Sequence, residues 1–117
     1  MSHAVELRDL ADRVTSYGDT PYLVYPGTSG ASRINHVVTS VTSGADSATI
    51  AVVGFGRGVV DRVAAGAPLS LLWPAVDDET YSLIVDGTGE IVGDELVVHA
   101  TGAVLHLPKR VDGSTAC

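Results

Sequence analysis

The chain is organised around residues 54–74, GFGRGVVDRVAAGAPLSLLWP. The glycines at its start predict a turn after a strand, residues 59–65 predict a short helix, and Gly66-Ala67-Pro68 ends that helix before another strand. Free backbone N–H groups and the positive end of the helix dipole meet where a helix begins, so Arg57 among glycines indicates a place for an anion. The alternative is that Arg57 pairs with Asp61, four residues further on, or points into water.

Residues 54–74 would thus form a crossover from one strand to another, and the sequence on both sides of this crossover is typical of β-structure. Runs of β-branched and aromatic residues bounded by glycine, proline and polar turns predict strands at 21–25, 32–42, 48–53, 69–73, 81–92, 95–101 and 103–107. The glycines within 86–89 predict a bulge, and Gly93-Asp94 predicts a tight hairpin. Six or seven strands with few helices predict a mainly β fold, a small antiparallel barrel.

The two ends of the chain differ from this β-rich middle. Leu7, Leu10, Ala11 and Val14 follow helical spacing, which predicts an amphipathic helix within residues 2–18, capped by Ser2. Residues 108–117 are typical of a polar tail. A chain of 117 residues is long enough for one core, so we expect a single domain over residues 1–117.

Composition excludes several classes of function. A net charge of −7 disfavours nucleic-acid binding, which needs a basic face. The one cysteine, Cys117, cannot form an internal disulfide, and no apolar run reaches membrane-spanning length or resembles a signal peptide, so we expect a cytoplasmic protein. His99 and His106 lie on predicted strands and the acidic run 77–79 is typical of a solvated loop, so no metal site is predicted.

Residues 32–42 form an unusual predicted strand, because both of its faces carry polar groups. Arg33 and Asn35 lie on one face, and His36 lies on the other. Such a strand is an exposed edge, or it lines a polar site or a subunit interface. Trp73, at the end of its strand beside Pro74, is either a core residue or faces a partner or a ring-shaped ligand.

The order of these segments resembles the FMN-binding split-barrel superfamily, which includes pyridoxamine 5′-phosphate oxidase. In that family an arginine-bearing strand and an apolar strand precede a Ser-Arg-Lys-like turn, a short helix and an apolar strand that often ends in an aromatic residue. The corresponding segments here are 32–38, 49–53, 56–58, 59–66 and 68–73, and residues 81–90 are similar to the strand that follows. The resemblance implies an antiparallel split β-barrel with an N-terminal helix and a short crossover helix.

The resemblance also implies a function, that of a homodimeric flavin-dependent oxidoreductase with FMN at the subunit interface and a small-molecule substrate. Arg57 would hold the FMN phosphate, the strand that begins at Arg33 would run beside the phosphate and the isoalloxazine ring, and Trp73 would lie near the dimer contact. The residues that it assigns to the cofactor are Arg33, Asn35, His36, Gly56, Arg57, Gly58 and Trp73. No side chain is predicted to be catalytic.

The chain departs from the family pattern on both sides of Arg57. Gly56 replaces a common serine or threonine, and Gly58 replaces a common lysine. Each missing ligand would have contributed about 1–3 kcal/mol as a charge-assisted hydrogen bond. The alternatives are therefore a deazaflavin in place of FMN, or a cofactor-free dimeric split barrel that acts as a binding or interaction module. An ester hydrolase is a third hypothesis, based on scattered serine, histidine and aspartate residues.

Overall fold

The computed structural model describes residues 2–76 and 81–107 and shows a mainly β fold. Two short helices accompany the strands: α1 spans Leu10–Val14 after a 3-10 turn at Leu7–Asp9, and α2 spans Gly58–Ala64. The described residues contain eight strands, which are β1 Ser2–Ala4, β2 Tyr22–Pro26, β3 Ser32–His36, β4 Val38–Ser43, β5 Ala48–Val53, β6 Leu69–Trp73, β7 Ser82–Val92 and β8 Glu95–His106.

All of these strands belong to one antiparallel sheet, in the order β3-β2-β6-β7-β8-β5-β4, with β1 also paired to β8. The two edge strands, β3 and β4, are consecutive in the chain and are separated only by Val37. The sheet therefore curls until its edges approach, but β3 and β4 do not pair and the barrel stays open. The predicted small antiparallel split barrel is confirmed.

The predicted single strand at 32–42 is two strands, because Val37 interrupts it. Val37 is buried, and its N–H bonds to the carbonyl of Pro21 at 3.1 Å instead of joining a sheet ladder. The chain turns at this point from pairing with β2 to pairing with β5. The polar residues on the two sides of Val37 therefore belong to opposite edges of the sheet.

One face of the sheet is buried in the core. Leu23, Leu71, Val85 and Ala103 lie directly opposite one another on β2, β6, β7 and β8, and all four are buried. On the core side α2 packs with Val59 fully buried. This helix links β5 to β6, which are not neighbours in the sheet, and so brings the Gly56–Gly58 turn to the β2–β3 side.

The long hairpin β7–β8 has a bulge beside the predicted position at 86–89, but the extra residue is on β8 and not on β7. Asp86 pairs with Gly102 and Gly87 pairs with Ala100, so Thr101 is the extra residue on β8. The Thr101 hydroxyl donates a hydrogen bond to the Asp86 carbonyl at 3.2 Å. The hairpin closes through Gly93-Asp94, between the paired residues Val92 and Glu95, as predicted. The bulge lets two long strands bend around the core.

The N-terminal segment differs from the predicted helix of residues 2–18. Ser2–Ala4 forms a strand on β8, so Ser2 does not cap a helix, and the α-helix spans only Leu10–Val14. The β8 edge offers backbone partners to this segment, and the Val5 N–H continues the pairing to the Ala103 carbonyl at 2.8 Å. Leu10 and Val14 are buried as the helical spacing required.

The loop between α1 and β2 is held by two aromatic side chains. The Trp73 Nε1–H donates to the Gly18 carbonyl at 3.0 Å, and the Tyr17 hydroxyl donates to the Tyr81 carbonyl at 2.7 Å. Burial raises the pKa of the Tyr17 hydroxyl, although the nearby charge of Arg13 opposes this. The hydroxyl therefore remains a donor. The predicted acidic loop at 77–79 and the predicted tail at 108–117 lie outside the described residues.

Candidate functional site

The crossover turn is fixed by a side chain from the edge strand β3. The Gly56 N–H donates to Asn35 Oδ1 at 2.8 Å, across 21 residues of sequence. Asn35 lies opposite Leu23 in the β2–β3 ladder, on the core side of the sheet, which aims its amide at the turn. Two of the residues predicted to bind a cofactor, Asn35 and Gly56, are therefore bonded to each other and act as support for the turn.

A cavity of about 220 Å³ lies beside this turn, where β2 and β3 meet α2. Arg33 reaches it from β3, opposite Tyr25 of β2, and Arg62 reaches it from α2, one helical turn beyond Gly58. Its walls also include the turn that joins β2 to β3. The lining residues are Tyr25, Gly27, Thr28, Arg33, Gly58, Asp61 and Arg62.

The charged groups of the cavity are not paired with one another. Within residues 2–76 and 81–107 the one ion pair is between His99 and Glu90, so neither arginine is bound to the Asp61 carboxylate. Arg62 Nε is buried and has no hydrogen-bond acceptor in the described structure. A buried N–H without an acceptor costs about 1–3 kcal/mol. The cavity wall therefore holds two arginines that form no ion pair in the described structure, and the unpartnered Nε of Arg62 is closed to solvent.

Gly58 leaves room for the Tyr25 side chain beside the cavity. A Cβ on Gly58 would lie 3.2 Å from the Tyr25 hydroxyl oxygen, so a larger residue would require the tyrosine to shift by a few tenths of an ångström. Tyr25 is itself only 5% exposed, which leaves its side chain little freedom to move away.

The structure brings some of the predicted site residues to the cavity and leaves others elsewhere. Arg33 and Gly58 line it, whereas Arg57 is not part of the wall; all three residues are exposed. His36 lies on the outer face, stacked on Tyr22 with ring centroids 4.6 Å apart. Trp73 is only 1% exposed and belongs to the core, which was one of its two predicted roles.

Tyr25 and Arg62 were not predicted to be site residues. Arg62 follows Gly58 by four residues, so helical spacing alone places both on one side of α2. Tyr25 could not be found in this way, because its position depends on the register between β2 and β3. The turn at 26–31, which sets that register, carries no sequence signal for a binding site.

The outer face of the sheet carries a second candidate surface. Tyr22, Leu72, Ile84 and Val104 lie directly opposite one another on β2, β6, β7 and β8. We call these four residues the outer apolar row. They are half-buried or exposed, and Ile34 on β3, in the neighbouring row, is 63% exposed. A continuous apolar row across several strands is the kind of surface that a protein partner covers.

The comparisons with protein-family models, with curated proteins and with solved structures gave no match to this chain. The residues at 2–76 and 81–107 contain no cluster of three or more histidine, cysteine, aspartate or glutamate side chains that could hold a metal ion. Over the same ranges no helix is long and apolar enough to cross a membrane. A hypothesis about function therefore depends on the cavity, the outer apolar row and the resemblance.

Proposed function

We propose that this chain forms a homodimeric, cytoplasmic flavin-binding protein, a flavin-dependent oxidoreductase whose cofactor is FMN or a deazaflavin. The observation that carries the proposal is the cavity that Arg33 and Arg62 line beside the Gly56–Gly58 turn. The split-barrel fold agrees with the resemblance that suggested a flavin. The substrate is a small molecule whose class the site does not define.

The residues of the cavity fit the anionic group of a flavin side chain. Arg33 and Arg62 place guanidinium groups in the wall, and Tyr25 lines it as well. Guanidinium groups bind phosphate and carboxylate through charge-assisted hydrogen bonds, which are about twice as strong as neutral ones. These residues, and not Arg57, which lies outside the cavity wall, are the ones that we expect to hold the group.

The cavity is too small to enclose a whole flavin, so other surfaces must complete the binding site. At about 220 Å³ it is smaller than the ~300–1,000 Å³ typical of pockets that enclose a whole ligand. It therefore accommodates the anionic end of a flavin, and the ring must lie outside it. Arg33 and Ile34 are adjacent on the edge strand β3 and face opposite sides of the sheet. A partner on the outer face would thus contact the strand that supplies Arg33.

The outer apolar row supports the homodimer. In a two-fold symmetric dimer the same patch contacts its own copy, and a sheet face with apolar residues at its centre suits such a contact. The row has polar neighbours at its margins, including His36, Ser70 and Asp86. An apolar centre with a polar rim is the usual anatomy of a protein interface.

A bound flavin would supply the hydride chemistry of the oxidoreductase. The chain's own part is to bind the anionic end through Arg33 and Arg62 and to hold the turn through Asn35. Asp61 is the one carboxylate in the cavity wall, and it is exposed. We assign no general acid or base among the described residues of the cavity wall. The role that we assign to this site is to bind and orient the flavin.

The proposal predicts that Arg33→Gln weakens FMN binding by about tenfold or more, because a charge-assisted contact to the phosphate is lost. Arg57→Gln is the matched control, since it makes the same chemical change at an exposed arginine outside the cavity. We expect Arg57→Gln to change the affinity by less than about threefold. Quenching of FMN fluorescence on titration with each protein measures the affinity. Equal effects of the two substitutions would contradict the assignment of the cavity.

The second candidate function is that of a cofactor-free dimeric binding module. The observation that favours it is the presence of the Asp61 carboxylate in the cavity, together with glycine at positions 56 and 58 in place of a hydroxyl and an ammonium group. Under this hypothesis the outer apolar row still forms the contact between the two subunits of a dimer. Light scattering that finds a dimer, with no quenching of FMN or of a deazaflavin, would favour the module over the flavoprotein.

A further inference from the structure

We propose that the open edge of strand β3 pairs with the β3 edge of a second copy of this chain, in an antiparallel, two-fold symmetric contact centred on Ile34. Strand β3 is one end of the sheet, and within residues 2–76 and 81–107 it pairs with β2 alone. The inference goes beyond the proposed function, because it concerns the backbone of the sheet edge and neither the cavity nor the outer apolar row.

The backbone of β3 directs hydrogen-bonding groups out of the sheet. The Gly27 N–H donates across the β2–β3 hairpin at 2.8 Å, and the Val37 N–H donates to the carbonyl before β2 at 3.1 Å. Hydrogen-bonded pairs recur at every second residue of an antiparallel ladder, so Arg33 and Asn35 direct their N–H and C=O groups to β2. The residues whose N–H and C=O groups point away from β2 are therefore Ser32, Ile34 and His36.

The polar side chains of β3 leave these backbone groups uncovered, because each is held by its own subunit. Arg33 lies over the β2–β3 turn, where a Cβ on Gly27 would be 3.0 Å from the Arg33 Nε. Asn35 accepts its hydrogen bond from the crossover turn, and the ring of His36 is stacked on Tyr22 of β2. Charged side chains commonly protect an edge strand, but the one arginine of β3 is turned towards its own hairpin.

The opposite edge of the sheet, β4, is covered by the chain itself. The Asp19 carbonyl accepts hydrogen bonds from the Thr39 N–H at 2.8 Å and from the Thr39 hydroxyl at 3.2 Å. The Ser43 hydroxyl donates to the Leu7 carbonyl at 2.8 Å and accepts from the Ala11 N–H at 3.0 Å. Helix α1 and the loop after it therefore cover β4, and β3 is the edge that stays open to a partner strand.

A second copy fits this edge because the sequence of β3 is complementary to itself in antiparallel register. With Ile34 opposite its own copy, Arg33 lies opposite Asn35 of the second copy. Ser32 in the same way lies opposite His36, so no two like charges face each other. Ile34 is 63% exposed, and the pairing brings the two isoleucine side chains together. The outward groups of the two strands allow about six backbone hydrogen bonds.

The edge contact and the outer apolar row are different surfaces, and a chain that used both would form a tetramer. Strand β3 contributes 5 residues to the contact. A standard interface has roughly 20–30 residues on each side. We therefore expect the edge contact to be weak when it acts alone, and a disulfide is a suitable way to trap it.

The test is disulfide trapping between single-cysteine variants in a Cys117→Ser background, because Cys117 is the one native cysteine. Ser32→Cys is mixed with His36→Cys under mild oxidation, and intact mass distinguishes the heterodimer from the homodimers. Opposite residues of a hydrogen-bonded pair have Cα atoms about 5.5 Å apart, which a disulfide spans, whereas the Ser32 residues of the two copies would be about 14 Å apart. We expect the heterodimer to exceed the Ser32→Cys homodimer by about tenfold or more.

A mixture of Ser40→Cys with His36→Cys is the matched control, because Ser40 is an exposed serine on the covered edge β4. We expect it to give no heterodimer above background. A failure to trap Ser32→Cys with His36→Cys would overturn the inference, and so would a Ser32→Cys homodimer of equal yield.

Ile34→Pro tests the backbone itself, because it removes the outward N–H without removing a bond to β2. Two-fold symmetry makes it remove both central hydrogen bonds, so we expect the trapped heterodimer to fall by about tenfold or more. Ile34→Val keeps the N–H and should change the yield by less than about twofold. Circular dichroism checks that both variants are folded, and equal yields from the two folded variants would overturn the inference.

Leu72→Glu separates this contact from the proposed homodimer, because Leu72 is in the outer apolar row and not at the β3 edge. We expect the trapped yield to be unchanged in this variant. Loss of the disulfide there would show that it reports the outer face and would overturn the inference. Trapping in a chain whose outer face forms no dimer would support the edge contact while the homodimer of the proposed function fails.

Discussion

Gly87→Ala is expected to lower the free energy of unfolding by about 3 kcal/mol, a large effect for one added methyl group. A Cβ at this position would lie 2.5 Å from the carbonyl oxygen of His99 and 2.8 Å from Cγ1 of Val98, both on the neighbouring strand β8. The closest obstacle is backbone, which cannot move aside as a side chain can. The strands must therefore separate next to the bulge, in the longest hairpin of the barrel.

Gly102→Ala is the matched control for this prediction. Gly102 pairs with Asp86, the residue before Gly87, but a Cβ there would meet no atom within 4 Å. Neither glycine has a positive φ, so the two substitutions differ in the space available and not in backbone strain. Urea denaturation should give a change below about 1 kcal/mol for Gly102→Ala. Similar stabilities of the two variants would show that the bulge packs less tightly than described.

Leu72→Glu is expected to raise the dissociation constant of the proposed homodimer by about 100-fold or more. Leu72 is at the centre of the outer apolar row, between Tyr22 and Ile84 on the adjacent strands. A carboxylate at this position would be buried against its own copy near the two-fold axis, where it has no opposite charge to pair with. Light scattering across a dilution series measures the change.

Two further variants test whether the outer face of the sheet forms the dimer contact. Ile34→Glu changes a residue that is 63% exposed, so it tests the same face without risk to the core. Val53→Glu is the control, because Val53 is a 41% exposed apolar residue on β5 that is outside the outer apolar row. We expect Ile34→Glu to weaken the dimer and Val53→Glu to leave it intact. A folded wild type that is monomeric at all concentrations would contradict the homodimer.

Local signals in the sequence were sufficient to predict most of the barrel. The crossover, the strand that ends at Trp73, the bulge near Gly87 and the hairpin at Gly93-Asp94 all depend on glycine, proline and alternating apolar residues, which act over a few positions. The predicted helix at 2–18 was too long, because Ser2–Ala4 pairs with residues that are 100 to 104 positions away in sequence. No local pattern carries that information.

The site was less predictable than the fold, because it also depends on contacts between residues that are distant in sequence. Glycines around an arginine identified the turn, but Arg57 lies outside the cavity wall, while Arg33 and Arg62 line it. The break at Val37 separates residues that a single strand would have kept together. Which arginine faces a cavity depends on strand register and on the packing of α2, and neither is visible in a window of sequence.

The most direct test of the central claim is the affinity of the wild-type protein for FMN compared with riboflavin, measured by quenching of flavin fluorescence. The two ligands share the same ring and differ by the phosphate that the cavity is proposed to hold. We expect FMN to bind about tenfold or more tightly than riboflavin. Equal affinities would contradict the role of the cavity, and a lack of quenching by FMN and by a deazaflavin would contradict the flavoprotein itself.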